Sequence, residues 1–145
     1  MLNSTKQVGA SAEAMFAARA LSKGLSVFFP WGDYLPQDVI VMNGAGVLFK
    51  VQIKSTQERA KEVAGSSGTR YKIQPVSGRD YKHPLDCTKV DVLSCYIQEL
   101  DLFYMVPCME LMGKKGMWLY GHNDTSKGMY EQYKERWEVF TSAKA

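Results

Sequence analysis

An α/β fold with a mixed central sheet is what this sequence predicts, and three observations carry it. An alanine-rich stretch near the amino end has helical spacing, and two β-branched runs flank an Asn-Gly turn. Further on, two nearly continuous apolar runs lie next to each other. With a second helical pattern at the carboxyl end, this order implies one mixed sheet with helices packed on it. At 145 residues the chain is long enough to bury a core as a single domain spanning 1–145.

Taken in order, GASAEAMFAARALSK (9–23) reads as a helix with Ser11 as its cap. Its apolar stripe runs through Met15, Ala18 and Leu21 or through Ala14, Ala17 and Leu21, and Gly24 ends it. LSVFFPWG is a short strand stopped by Pro30 and Gly32. DVIVM and VLFKVQIKST are strands joined through NGAG as a hairpin. From Gln57 to Pro84 the pattern weakens to turn residues, a helical turn in QERAKEVAG and one strand, RYKIQPV. VDVLSCYIQEL and LFYMVP then form a strand pair whose continuous apolarity places it in the middle of the sheet. KGMWLYGH is a last strand, and SKGMYEQYKERWEVF a closing helix with Met129, Tyr133 and Trp137 on one stripe.

Composition narrows the function classes. Apolar residues at 46% and charged residues at 23% describe an ordinary globular chain, and no apolar run approaches the roughly 20 residues of a membrane span. The amino end lacks the layout of a secretory signal, so the expected location is cytoplasmic, with no membrane partner. Cys87, Cys95 and Cys108 are spaced for neither a disulfide framework nor a zinc site and read as buried free thiols. Net charge is +3, yet residues 50–89 hold nine bases against four acids, a local +5 that leaves −2 elsewhere. The basic irregular segment within it, at about 55–89, meets an anionic partner, most commonly nucleic acid, or is a solvated loop.

The hairpin carries the chemistry. Strand alternation sets Gln52 and Lys54 on one side of VQIKST, opposite Val51 and Ile53. Asp38 opens the first strand and Lys54 lies near the end of the second, so antiparallel return brings both to one edge. A carboxylate and an amide oxygen are hard ligands of the kind Mg²⁺ prefers, and an adjacent ammonium can orient a water or offset charge on a phosphate. Glu13 adds a second carboxylate if the first helix packs over the hairpin. An Asp and a Lys at these positions are also common on strands that do nothing of the kind.

The run G-x3-E, then GLSVFFPWGD, DVIV and VQIKST, resembles the PD-(D/E)XK nuclease superfamily. Within it, the chain is similar to the small branch that includes a cyanobacterial group I intron-encoded homing endonuclease, with archaeal Holliday-junction resolvases as neighbours. VDVLSCYIQELDLFYMVP extends the likeness to roughly residues 9–110. The resemblance implies a restriction-endonuclease-like core and a catalytic site of Glu13, Asp38, Gln52 and Lys54. Asp38, Gln52 and Glu13 would serve Mg²⁺ (or Mn²⁺), and Lys54 would act near the attacking water. In that branch Gln stands for the second acidic residue, as Gln52 does here. The usual Pro-Asp is interrupted as Pro36-Gln37-Asp38, and the uncharged Gln52 weakens the hold on a metal.

The expected activity is therefore metal-assisted hydrolysis of double-stranded DNA by a homing endonuclease. A junction resolvase and an inactive DNA-binding module are the alternatives. Arg59, Lys61, Arg70, Lys72, Arg79 and Lys82 are the candidate DNA contacts. Tyr71 and Tyr81 are read as packing rather than stacking. A chain this small reads a long site most simply as a symmetric homo-oligomer, a tetramer or dimer. His83 and His122 read as surface or turn residues, and Asp86 either caps a turn or, with Asp91, extends the acidic site.

Overall fold

The computed structural model describes residues 4–57, 70–77, 81–121 and 128–141. A helix, α1 (Thr5–Ser22), leads into strands β1 (Ser26–Phe28), β2 (Val39–Met42) and β3 (Leu48–Thr56). Three short strands follow, β4 (Tyr71–Ile73), β5 (Val76–Ser77) and β6 (His83–Pro84). Then come β7 (Val92–Ile97), β8 (Leu102–Pro107) and β9 (Met117–Leu119). The main sheet has the order β1-β2-β3-β7-β8, antiparallel throughout except for the parallel β3/β7 pair. It is the mixed sheet expected.

Helix α1 begins earlier than Ser11: the Ser4 hydroxyl oxygen accepts from the Gln7 N–H at 3.1 Å. Gly24, at φ +80°, ends it as expected. The buried stripe is Ala12, Phe16 and Ala20, spaced i, i+4, i+8, while Leu21 is exposed. The alanines on either side of Phe16 let the helix lie close on the sheet. Phe16 is thereby pressed among Phe103, Trp137 and Phe140, with ring centroids 5.3–6.3 Å apart. In the β2–β3 turn, Asn43 Oδ1 accepts from Ala45 and Val47 N–H, both at 3.0 Å, and Gly46 takes φ +79°.

Both faces of the sheet are covered. Val39, Val41, Val51, Val92, Tyr96, Phe103 and Met105 join the core beneath α1. Leu93, Cys95, Ile97, Tyr104 and Val106 pack against Tyr71, Ile73, Met117 and Leu119 on the other side. Those last four come from a separate β4/β9 ribbon, so β9 covers the sheet rather than extending it. RYKIQPV splits into β4 and β5 at Gln74-Pro75, where proline withholds an N–H.

Three expectations fail here. No closing α-helix forms among residues 128–141, which instead make 3-10 turns at Glu131–Tyr133 and Trp137–Phe140. Glu135, at φ +48°, breaks the helical path. Its N–H donates to the Phe103 carbonyl at 2.7 Å, and its carboxylate accepts from Phe103 N–H at 3.0 Å and Trp137 Nε1 at 2.7 Å. Of the supposed stripe, Trp137 is buried and Met129 exposed. Accordingly β8 is the edge of the sheet and not its middle; Glu135 and the bridge between Tyr104 and Lys134 cover its open ladder. Lastly, Cys87 and Cys108 form a disulfide, and only Cys95 is a free buried thiol. Antiparallel β7/β8 pairing sets Val92 beside Pro107, and the turn in which Lys89 and Val90 donate to the Asp86 carbonyl places Cys87 at a Cα separation of 5.6 Å from Cys108, the residue after Pro107. A spacing of 21 residues conceals that meeting. Among the described residues, no helix is long and apolar enough to cross a membrane.

Candidate active site on the β2–β3 hairpin

Asp38 precedes β2 and continues its ladder, donating its N–H to the Val51 carbonyl at 2.9 Å. Its Oδ2 accepts from the Ile53 N–H at 2.7 Å, which fixes the carboxylate beside the second half of β3. Val39 and Val41 belong to the core under α1, so alternation turns Asp38 to the opposite face. The same alternation puts Gln52 and Lys54 there, registered with Leu93 and Cys95 of the far core. That face is not open: Gln52 is only 8% exposed and Lys54 is half-buried.

Burial and charge tie four side chains together. Burial pushes the Asp38 carboxyl above its ordinary range, while the Ile53 N–H and the Lys54 ammonium pull it back. Glu13 on α1 is also raised, by burial and then by the negative charge of Asp38. Lys54 is lowered, first by burial and next by the like charge of Lys82, with Asp38 opposing. Gln52 has a buried Oε1 with no hydrogen-bond partner among the described residues, as does Gln37 beside Asp38. An orphaned buried acceptor is costly, and such atoms are expected to have a reason.

This donor set fits a hard divalent cation. Two carboxylates whose charge burial disfavours and one buried amide oxygen without a partner are all oxygen ligands. Among the described residues no group of three or more His, Cys, Asp and Glu is placed to hold a metal, so an oxygen set on this face would draw on Gln52 as well.

The sequence matches the PD-(D/E)XK endonuclease family over residues 3–138. This chain belongs to that family. Among solved structures, a similar one is that of the bacterial homing endonuclease I-Ssp6803I, with a TM-score of 0.77 and 26% identity. The match covers 96% of this chain and 95% of that one. Among curated proteins no match was found. The family supports a DNA endonuclease, and the restriction-endonuclease-like architecture expected from the sequence is the one found.

The other candidates divide. Lys72 is exposed on β4, and Lys82 is exposed just before β6. Arg70 lies with its guanidinium 4.1 Å above the Trp118 ring, a cation–π contact that ties it to the β4/β9 ribbon. Arg59, Lys61, Arg79 and His122 lie outside the described residues. Tyr71 is buried as expected, its hydroxyl donating to Glu99 Oε2 at 3.1 Å, but Tyr81 is exposed against the His83 ring and is not core. Asp86 caps a turn, accepting from Thr88 N–H at 2.9 Å and Thr88 Oγ1 at 2.7 Å. Asp91 accepts from Lys50 N–H at 2.7 Å, across β3 from Asp38, and does not extend the acidic group. Gln37, which interrupts the usual Pro-Asp, stands beside Asp38 with a buried Oε1 that has no hydrogen-bond partner among the described residues.

Proposed function

We propose that the protein is a Mg²⁺-dependent endodeoxyribonuclease that cuts double-stranded DNA as a sequence-specific homing endonuclease, acting as a homo-oligomer. The observation that carries this reading is the orphaned Gln52 oxygen on the face shared by Asp38 and Lys54, with Glu13 electrostatically coupled to Asp38. Asp38, Gln52 and Glu13 would hold the cation. A bound Mg²⁺ supplies Lewis-acid polarisation of a phosphoryl oxygen and a water of lowered pKa. The Ile53 N–H engages Asp38 Oδ2, so Oδ1 would be the oxygen open to a cation. Lys54 Nζ, its charge disfavoured by burial and by Lys82, is suited to take a proton from the attacking water or to offset charge growing on the phosphate. The size of the chain supports the oligomeric part of the reading, since two copies double the DNA length that can be read. The relative I-Ssp6803I, a homing endonuclease, supports the sequence-specific form of the reading.

The test is incubation with genomic DNA and with a synthetic four-way junction, in Mg²⁺ or EDTA. A few discrete fragments in Mg²⁺ alone, lost in Asp38→Ala and Lys54→Ala proteins that still bind DNA, is the expected result. Selective cutting of the junction makes the protein a resolvase instead. Parental cleavage by either variant removes the site assignment, and inertness of the parent removes the enzyme.

A further inference from the structure

A polar cavity of about 740 Å³ adjoins the candidate active site at the carboxyl end of β3. It lies between the first turn of α1, β3 and the β4–β5 segment. Lys54, Lys72 and Lys82 line it, with Ser55, Gln57 and Gln74 among the polar groups beside them. No carboxylate is among the described residues that line it. The arrangement follows from strand alternation: Tyr71 and Ile73 of β4 face the core, so Lys72 and Gln74 are turned out into the cavity. Three ammonium groups lining one space form a surface suited to an anion. The volume is that of a site for something larger than one small ion.

We propose that this cavity seats the backbone phosphates flanking the scissile one on the strand being cut, with Lys72 and Lys82 as positioning residues. The inference rests on the endonuclease reading above and adds the path of the strand to it. Lys54 belongs to both places. On one side it faces Asp38, with Glu13 beyond; on the other it faces two more lysines. A strand crossing Lys54 therefore passes from a cation-binding acidic group to a basic trough. Its scissile phosphate lies at the boundary, and its neighbour is held by charge alone. Lysine neutralises phosphate without reading sequence, so this cavity sets register and leaves specificity to other residues.

The experiment measures binding of a fluorescein-labelled duplex of arbitrary sequence by anisotropy over a NaCl series. The Lys72→Gln/Lys82→Gln protein is compared with Lys23→Gln/Lys115→Gln, which removes the same charge from exposed sites elsewhere. Losing two phosphate contacts is expected to flatten the slope of log Kd against log salt by about 1.8, at about 0.9 per phosphate. The control pair should leave the slope unchanged, and Lys72→Arg/Lys82→Arg should restore it. With cleavable plasmid, Lys72→Gln alone should raise KM with kcat nearly unaltered. An unchanged slope, or an equal loss in the control pair, overturns the proposal. The two readings fail separately. A parent that binds but never cuts, with the slope effect intact, loses the endonuclease and keeps the trough. A parent that cuts, with an unaltered slope in the glutamine pair, loses the trough alone.

Discussion

Asp38 and Asp91 are near-copies of each other on the two flanks of β3. Each stands one residue before a strand that pairs with β3, β2 in one case and β7 in the other. Each donates its N–H to a β3 carbonyl, at 2.9 Å and 2.8 Å, and each carboxylate accepts a β3 N–H at 2.7 Å. What differs is the company. Asp91 lies where Cys108 donates its N–H to the Asp91 carbonyl, beside the Cys87–Cys108 disulfide, and serves to fasten strands together. Asp38 meets Glu13, Lys54 and an unpartnered Gln52 oxygen. Identical local chemistry thus serves as scaffold at Asp91 and, in the function proposed above, as reaction site at Asp38, according to what the neighbouring elements bring. A strand-capping aspartate is not a catalytic one until its surroundings make it so.

The sharpest way to break this comparison is to replace both residues in turn. Asp38→Asn keeps an acceptor for Ile53 yet should lower the cleavage rate at least about a hundredfold, as removal of a charged catalytic group does. Asp91→Asn should cut at close to the parental rate, and similar kinetics for the two variants would abolish the distinction. The next effect is on stability alone. Replacing Cys87 and Cys108 by alanine should cost about 3 kcal/mol in urea unfolding, the size expected for a closed loop of this length, without altering cleavage by the protein that remains folded. Asp91→Ala comes third, at about 1–2 kcal/mol, for the loss of a charge-assisted bond that leaves the Lys50 N–H unsatisfied.

The smallest effect has the opposite sign. Asp38 has a raised carboxyl in the folded protein, so the fold binds its proton more tightly than the unfolded chain does. That contribution is fully present below the unfolded value near 3.8 and is lost as pH rises through the folded one. Metal-free Asp38→Asn should therefore melt above the parent at neutral pH, with the gap closing as pH falls toward 4. A Tm difference independent of pH would show that burial of the charge is not what Asp38 pays for. Addition of Mg²⁺ should raise the Tm of the parent and not of Asp38→Asn, because a ligand bound only to the folded state stabilises it.

Much of this was legible before any coordinates. The hairpin, its Asn-Gly turn and the side on which Gln52 and Lys54 fall all follow from alternation and turn chemistry, which are local. Asp86 as a turn cap was also readable, because its partner Thr88 is two residues away. The failures share a cause of another kind. The carboxyl-terminal residues have helical spacing, yet Glu135 bonds to Phe103, 32 positions distant, and tertiary pairing overrides propensity. Leu21 looked like core and is exposed because Phe16, the bulkiest residue of the helix, takes the face toward the sheet.

The sequence by itself determined the family motif, the mixed α/β pattern and the residue types capable of holding a cation, since each is written in short spacings along one strand or turn. Tertiary structure alone decided that the Gln52 face is roofed by β4 and β9, that Lys72 and Lys82 share a cavity with Lys54, and that Cys87 meets Cys108. The physical reason is that burial, like-charge crowding and covalent pairing depend on distances between residues far apart in the chain, and these are set only when the two cores close on the sheet.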